Sequence, residues 1–261
     1  MFRAVFVNQR GGVGKTVTTI TMARWLADQG QRVLIVDTDS QGSLGYCLNL
    51  KAKAFLFHFV ARGYSFEDCI VQAHERIDVL CSNRETMQAE ASLMGQIGRE
   101  QTFVHLFKPI ESAYDAVLID VAPSISLLQT CAMVYCENAI IPINMDALSF
   151  HGAVATQSLA GSLNDLVNAK VKIAAILPTQ VIGGRQMTST ILETLRGWTN
   201  RFGLHLLPPI RTDAAVSKMV KQQVFLQDLD PECRAMKDYE AAFADLMAQV
   251  GEAHATQTTE A

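Results

Sequence analysis

A glycine-rich segment near the start of the sequence constrains the fold more than any other feature. Gly11-Gly12-Val13-Gly14-Lys15-Thr16 follows the apolar stretch Ala4-Val5-Phe6-Val7 and precedes a helix-like run. Glycines let a backbone curl so that several N–H groups point at one anion, and a helix N-terminus behind the loop adds the positive end of its dipole. The segment therefore predicts a phosphate-binding loop between a strand and a helix.

Two side chains at the end of this loop suit phosphate and metal chemistry. The Lys15 ammonium is placed over the β- and γ-phosphates of a nucleotide, and the Thr16 hydroxyl is placed to ligate a magnesium ion. The alternative is a glycine-rich turn with a stray lysine, since short motifs of this kind occur by chance. The flanking strand and helix, and matching segments further along the chain, favour the phosphate loop.

Two further apolar strands end in aspartates. Val33-Leu34-Ile35-Val36 runs into Asp37-Thr38-Asp39, and Ala116-Val117-Leu118-Ile119 runs into Asp120. Parallel sheets bind ligands at the carboxyl ends of their strands. A carboxylate after the first strand could orient an attacking water or hold the magnesium shell, with a helix cap or turn at Asp39 as the alternative. Asp120 has the form of a carboxylate that supports the magnesium in phosphate-loop proteins.

Strand and helix patterns alternate along the rest of the chain. Further strands are predicted at residues 77–80, 139–143 and 172–177, with a short last one at Leu204–Leu207. Helices are predicted at residues 17–29, 150–167, 186–202, 214–222 and 238–250. This alternation predicts an α/β fold with a mostly parallel sheet and helices on both faces. Because no linker or repeat interrupts the pattern, we expect a single domain over residues 1–261, with 251–261 a frayed polar tail.

Composition narrows the class of protein. The 261 residues, 49% hydrophobic and 18% charged, fit a soluble globular protein with a substantial core. Six cysteines lack the paired spacing of zinc or redox sites, so we expect small buried residues in a reducing compartment. We see no signal peptide and no apolar run of the roughly 20 residues that a membrane span needs. A cytoplasmic location is expected.

The charge is unevenly distributed. A net charge of −4 argues against a wholly basic nucleic-acid-binding protein. Residues 185–237 nevertheless carry eight basic and five acidic side chains, whereas residues 238–261 carry five acidic and no basic ones. The first of these segments can therefore form a local basic face.

In combination, these segments resemble the ParA/MinD family of deviant Walker A ATPases, and its ParA branch most closely. Residues 8–16 are similar to the family's deviant Walker A motif, and residues 36–42 to its switch segment. Residues 114–124 and the strand at 140–143 resemble the Walker B region and the strand after it. Several matches in the same order, over nearly the whole length, are more specific than any single one.

The resemblance implies an ATPase that binds ATP and Mg2+ and forms a homodimer around two nucleotides. In that state it would bind DNA without sequence preference. A ParB-like or cargo-adaptor protein would stimulate an otherwise slow hydrolysis and release the DNA. Proteins of this kind position plasmids, chromosomes or protein cargoes over the nucleoid.

The resemblance also implies roles for individual residues. Lys15, Arg10 and Asp39 are expected to act in catalysis, with Asp39 assisting the hydrolytic water. Thr16, Asp39 and Asp120 are expected to hold or support the metal. The expected nucleotide contacts are Gly11, Gly12, Val13, Gly14, Lys15, Thr16, Thr18 and Arg211.

Two positions depart from the family's pattern. Arg10 stands where the family has a lysine that reaches across the dimer to the partner's nucleotide. Arginine keeps the charge and can grip phosphate bidentately, but it is longer and its head is planar. Ser40 stands where the family usually has proline, which should make that turn more mobile.

Basic residues in the carboxyl-terminal part are the expected DNA contacts. They are Arg185, which follows a Gly-Gly pair, and Lys218 and Lys221, which are three apart on one helix face. Contacts of this kind go to phosphates and weaken strongly with salt. For any one of these residues, a solvated surface charge is the alternative.

Other functions stay open. Membrane binding is disfavoured, because no Lys or Arg follows Lys237. A regulatory switch would bind ATP and control a partner protein without touching DNA. A metabolic enzyme on the same loop would be a synthetase or an iron–sulfur reductase, although Cys131 and Cys136 fit a core helix better than a cluster. Binding to random-sequence DNA separates partition from all of these.

Overall fold

The computed structural model of the chain describes residues 1–184 and 186–259, without the side chains of Met187 and of residues 252–259. Within these residues, seven strands form one sheet. The strands are β1 Phe2–Phe6, β2 Val33–Asp37, β3 Ile70–His74, β4 Ile77–Leu80, β5 Ala116–Asp120, β6 Asn138–Ile143 and β7 Lys172–Pro178. Their order is β3-β4-β2-β5-β1-β6-β7, and every neighbouring pair is parallel except β3 with β4.

The helices of the described residues follow the strands in alternation. They are α1 Lys15–Asp28, α2 Ser43–Cys47, α3 Leu56–Arg62, α4 Phe66–Cys69, α5 Thr86–Leu93, α6 Thr102–Phe107, α7 Leu127–Cys136, α8 Ala147–Val167, α9 Gln186–Phe202, α10 Ala214–Gln222, α11 Leu226–Leu229 and α12 Arg234–Thr259. Short 3₁₀ helices occur at Arg99–Gln101 and Lys108–Ala113. No helix of the described residues is long and apolar enough to cross a membrane.

The sheet is covered on both faces, which confirms the predicted fold class. All five residues of β2 and of β5 are buried, as expected for parallel strands between two helical layers. Successive strand residues enter two separate cores. Val33 and Ile35 pack with residues of α1, α10 and α12, whereas Leu34 and Val36 pack with residues of α7 and α8.

The predicted strand at Leu204–Leu207 is wrong. Only isolated bridges join this region to the sheet, between Ile176 and Leu206 and between Val181 and Arg211. Two prolines follow directly at positions 208 and 209, and proline has no N–H to donate to a strand ladder. The segment therefore hydrogen-bonds to the β7 edge at single residues, with the Leu207 N–H donating to the Ile176 carbonyl at 2.9 Å, and does not form a regular strand.

Two other elements differ from the prediction. The edge strand β3, Ile70–His74, was not expected, and its partly exposed, irregular pairing with β4 explains its weak sequence signal. Helix α12 begins at Arg234 and continues to Thr259, whereas the pattern predicts Asp238–Val250 and a frayed tail. A single Gly251 costs a helix only about 1 kcal/mol and need not end it.

Candidate nucleotide-binding site

Three neighbouring strands end together at one edge of the sheet. Phe6 at the end of β1 and Asp37 at the end of β2 are both in register with Asp120 at the end of β5. The glycine-rich loop and the two aspartate segments therefore start side by side. This register joins three segments that are far apart in sequence.

The backbone of the loop has the conformation that its glycines predict. Gly12 and Gly14 have φ values of 75° and 88°, a left-handed region where side chains with a Cβ are strained. Helix α1 begins at Lys15, and no side chain caps its N-terminus. Its first N–H groups are therefore available to an anion, together with the positive end of the helix dipole.

A cavity of about 330 Å³ lies over this loop, and we call it the loop cavity. The sequence-predicted residues that line it are Gly11, Gly12, Gly14, Lys15, Thr16 and Asp39. Asp39 also accepts a hydrogen bond from the Gln41 N–H at 3.0 Å, so it forms the turn that was its alternative role. Asp39 thus forms the turn and also lines the loop cavity, and its roles in catalysis and metal binding stay predictions.

The Lys15 side chain is only 7% exposed and lies inside the loop. Its ammonium Nζ donates to the carbonyls of Asn8 at 3.2 Å and Arg10 at 3.1 Å. Burial lowers the pKa of Lys15, while the charges of Asp120 and Asp39 oppose that change. Because both hydrogen-bond partners are neutral carbonyls, a phosphate would supply the counter-charge at bonding distance.

Thr16 and Asp120 are joined directly. The Thr16 Oγ1 donates to Asp120 Oδ2 at 2.6 Å, and the other oxygen, Oδ1, is buried with no hydrogen-bond partner among residues 1–184 and 186–259. Burial raises the pKa of Asp120 to about 7, opposed by the Thr16 bond and the charge of Lys15 and assisted by Asp39. An unpaired carboxylate oxygen beside a hydroxyl is a donor set that suits Mg2+.

Asp37 lies beside this site; the sequence placed it with Asp39 after the same strand, but the expected roles were given to Asp39. It is fully buried next to Asp120, and its Oδ2 finds no hydrogen-bond partner in the described part of the chain. Burial, followed by the negative charge of Asp120, raises the pKa of Asp37 well above its usual range. The available signal was that Asp37 ends β2 in the same way as Asp120 ends β5.

These carboxylates do not form a metal cage. Across the described residues, no group of three or more His, Cys, Asp or Glu side chains is arranged to hold a metal ion. Mg2+ usually keeps several waters and binds through one or two protein oxygens plus substrate phosphates. Thr16, Asp39 and Asp120 therefore fit a magnesium ion that arrives with a nucleotide.

A second cavity, of about 420 Å³, adjoins the loop cavity, and we call it the base cavity. Gly14, Val17 and Gln180 line both cavities. Arg211, predicted on the nucleotide side, lines the base cavity, and Asp238 holds its guanidinium with Nη2–Oδ1 at 2.6 Å and Nε–Oδ2 at 2.9 Å. The position beside the loop and the volume suit a nucleoside.

Three other predicted residues lie outside the cavities. Thr18 is fully buried behind the loop, with its hydroxyl 3.2 Å from that of Tyr239, and lines neither cavity. Val13 is buried as well, so only its backbone can face an anion. Arg10 is exposed beside the loop, with Nε 3.8 Å from Asp146 Oδ2. The roles of Thr18 and Arg10 at a nucleotide stay predictions.

Two residues that shape the loop were missed by sequence reasoning. Gln180 Nε2 donates to the Gly12 carbonyl at 2.6 Å. The Asn8 side chain packs so closely on α8 that a Cβ at Gly152 would lie 2.3 Å from its Oδ1. Gln180 follows the apolar strand β7 much as Asp39 follows β2, and that position was its only sequence signal.

The remaining predicted residues concern DNA and the cysteines. Arg185 lies outside the described residues. Lys218 and Lys221 are exposed on α10, and no ion pair of the described residues includes either. The six cysteines are free and buried as expected, including Cys131 and Cys136 in the core of α7.

The fold and the loop define a class of protein, the P-loop nucleotide-binding proteins. The profile of the AAA domain family matches residues 3–173, a stretch that holds the loop and both aspartate strands. The cell division protein PomZ of Myxococcus xanthus is 27% identical over 261 residues, covering 98% of this chain and 81% of PomZ. The chain belongs to the ParA/MinD family of P-loop ATPases.

Other matches cover part of a relative's length or are matches of the fold. Two uncharacterized Mycobacterium tuberculosis proteins are 32% identical over 195 residues, which cover 71% of this chain and 61% of theirs. The ATP complex of a McdA variant from Cyanothece matches with a TM-score of 0.85 over 96% of each chain, at 19% identity, a likeness of fold alone. Cobyrinic acid a,c-diamide synthase from Mycobacterium smegmatis, with bound ADP and magnesium, matches with a TM-score of 0.75 at 25% identity, covering 88% of this chain and 95% of the synthase.

Proposed function

We propose that the chain is a ParA-like partition ATPase. It binds ATP and Mg2+, dimerises around two nucleotides and then binds DNA without sequence preference. A ParB-like or cargo-adaptor protein stimulates hydrolysis and releases it, so that plasmid, chromosome or protein cargo is positioned over the nucleoid in the cytoplasm. The supporting observation is that Lys15, Thr16 and Asp39 line one loop cavity, with Asp120 hydrogen-bonded to Thr16, in a relative of PomZ.

The two cavities accommodate the two parts of ATP. The loop N–H groups and Lys15 bind the phosphates, and the base cavity beside Arg211 takes the nucleoside. Thr16 would hold Mg2+, with Asp39 and Asp120 supporting it, and the metal would neutralise part of the phosphate charge. Asp39, at the mouth of the loop, orients the hydrolytic water.

The surface position of Arg10 supports a role across the dimer. Its ion pair with Asp146 is long, at 3.8 Å, and both side chains are more than one third exposed, at 44% and 36%. Exposed pairs of this kind contribute little stability, so the pair is easily exchanged for a phosphate of the partner's nucleotide. We expect Arg10→Ala to weaken the ATP-dependent dimer and Arg10→Lys to retain it, as measured by sedimentation with ATP and with ADP. An unchanged dimer in Arg10→Ala would contradict this role.

A metabolic synthase is the second candidate, because the cobyrinic acid a,c-diamide synthase matches at 25% identity. A synthase needs room for a second substrate beside the phosphates. A larger cavity, of about 580 Å³ near Phe2 and Arg3, lies at the other end of β1. It is roughly 15 Å of strand away from the loop, which favours partition over synthesis.

The decisive experiment is binding of a random-sequence DNA duplex with ATP, with ADP and without nucleotide, at two salt concentrations. We expect ATP-dependent, salt-sensitive binding that the double variant Lys218→Ala, Lys221→Ala loses. Lys172→Ala is the matched control. Lys172 is exposed at the amino end of β7, which is the end of the strands opposite to the loop. ATP binding without DNA binding in any state would exclude partition and favour a regulatory switch or the synthase.

A further inference from the structure

Two lysines to which the sequence assigns no role lie beside the basic helix α10. Residues 50–53, between α2 and α3, alternate between partly buried and exposed. Leu50 and Ala52 pack on the same core as Val220 of α10, whereas Lys51 and Lys53 are exposed. The packing of this segment therefore keeps both ammonium groups in solvent.

A direct contact joins this segment to α10. Gln223, the residue after the helix, has a left-handed φ of 59° and donates from Nε2 to the Tyr46 carbonyl at 2.7 Å. Gln223, Tyr46 and Lys51 also line one cavity of about 250 Å³. Lys51 therefore lies near the C-terminal end of α10, the helix that carries Lys218 and Lys221, and Lys53 is two residues further along the same segment. We call Lys51, Lys53, Lys218 and Lys221 the four-lysine surface.

The four-lysine surface retains its positive charge. No ion pair of the described residues includes any of its members. Of the three acidic residues between α10 and α12, Asp228 pairs with Arg24 at 2.6 Å and Glu232 pairs with Lys237 at 2.9 Å, whereas Asp230 forms no ion pair with any described residue. Four unpaired ammonium groups at one place attract a polyanion.

The same elements reach both nucleotide cavities. Ser43, the first residue of α2, lines the loop cavity, and the same short helix carries Tyr46. Ser217, next to Lys218 on α10, lines the base cavity. A nucleotide that filled both cavities would therefore contact both elements that the Gln223–Tyr46 hydrogen bond joins.

We propose that the four-lysine surface is the surface on which the chain docks duplex DNA, with Lys51 and Lys53 supplying phosphate contacts. Lysines are flexible point charges, which suit evenly spaced backbone phosphates rather than the edges of bases. The Gln223–Tyr46 hydrogen bond aligns the two lysine pairs, and the nucleotide adjusts that alignment through α2. The inference rests on the DNA binding proposed above and extends it to residues outside 185–237.

The test compares two lysine pairs on opposite sides of the molecule. The variant Lys51→Ala, Lys53→Ala and the control Lys170→Ala, Lys172→Ala each remove two exposed lysines. Binding of a random-sequence duplex is measured with ATP over a series of salt concentrations. We expect the first variant to lower the slope of log K against log salt by about 2, roughly 1 for each DNA phosphate that a lysine no longer neutralises. The control should match the wild type, and both should bind ATP normally.

The outcomes separate this inference from the proposed function. If the wild type binds DNA and the Lys51, Lys53 variant shows the same affinity and slope, the inference is overturned and the partition function stands. If the wild type binds no DNA but binds ATP, both fail. Loss of binding to an acidic partner protein, with DNA binding intact, would also overturn the DNA assignment.

Gln223→Ala tests the hydrogen bond between Gln223 and the Tyr46 carbonyl. We expect about a fivefold smaller ratio of DNA affinity with ATP to DNA affinity without nucleotide, at an unchanged ATP affinity. A ratio equal to that of the wild type would overturn the link between the nucleotide and the four-lysine surface.

Discussion

The two ends of the parallel strands hold charged groups in opposite ways. At the carboxyl ends of the strands, Asp37 and Asp120 are at most 1% exposed. Each has a buried oxygen without a hydrogen-bond partner in the described residues. At the amino edge, Arg3 pairs with Glu111 at 3.3 Å and with Glu137 at 3.8 Å. The carboxyl ends of the strands thus keep buried carboxylate oxygens without hydrogen-bond partners among the described residues, whereas the amino ends pair their charges within the chain.

This difference shows that the size of a cavity does not by itself indicate its function. The amino-edge cavity, of about 580 Å³, exceeds the loop and base cavities, of about 330 and 420 Å³. Burying a charge without a partner costs several kcal/mol unless a ligand or a proton compensates it. Asp120, which is hydrogen-bonded to Thr16 of the loop cavity, is therefore a group that a ligand beside the loop would complete, whereas Arg3 at the larger cavity already has two carboxylate partners.

The largest effect is expected for Lys15→Ala. The change removes a buried ammonium that now donates to two loop carbonyls, and with it the charge offered to phosphate. Loss of two charge-assisted hydrogen bonds should weaken ATP binding by about 1,000-fold, roughly 4 kcal/mol. Calorimetric titration with ATP and Mg2+ measures the change in ATP affinity, with Lys172→Ala as the control. A loss of affinity below tenfold would contradict the difference between the two ends of the strands.

Next in size is the effect of Asp39→Asn on hydrolysis. Asp39 lines the loop cavity and is only partly buried, so the substitution leaves the buried pair intact. Loss of a group that orients water should lower the rate of phosphate release by about 100-fold, with ATP affinity nearly unchanged. A parallel fall in affinity and rate would mean that Asp39 acts mainly in binding.

A smaller effect, on stability, is expected for Asp120→Asn. In the folded chain the pKa of Asp120 is about 7, above the value of roughly 4 in an unfolded chain. A raised pKa contributes stability that is present below the unfolded pKa and lost as the pH rises through the folded one. The free energy of unfolding of the metal-free protein should therefore fall between about pH 4 and 7, and less so in the variant.

The pH dependence is measured by urea unfolding in a chelator at pH 5 and pH 8. At pH 8 we expect Asp120→Asn to be about 2 kcal/mol more stable than the wild type. The same variant should bind Mg2+ and ATP more weakly, because a neutral amide replaces a carboxylate. Equal stability of the two proteins at pH 8 would show that the buried Asp120 carboxylate does not destabilise the folded protein.

The smallest effect is expected at the amino edge. Glu137→Gln removes one of two long contacts to Arg3, whose other partner is Glu111. Stability should change by no more than about 0.5 kcal/mol, with ATP binding and hydrolysis unchanged. An effect on ATP turnover would show that the two ends of the strands are coupled, and would contradict the difference between them.

Local patterns determined much of the fold. The predicted bounds of β4, α9 and α10 agree with the structure, and so does the strand–loop–helix unit around Gly12 and Gly14. These features depend on hydrophobic periodicity and on backbone conformations that a few neighbouring residues impose. The predicted Leu204–Leu207 strand failed because the two prolines that follow it have no N–H to extend its pairing with β7 beyond isolated bridges.

By itself, the sequence determined the phosphate loop, the alternation of strands and helices, and the aspartates that end two strands. Only the tertiary structure decided that Asp37 shares the burial of Asp120 and that Gln223 bonds to the backbone of Tyr46. Each of these pairs joins residues far apart along the chain, and no local pattern specifies their distance. The physical reason is that charge burial and polar pairing are properties of packed neighbours, which the fold brings together.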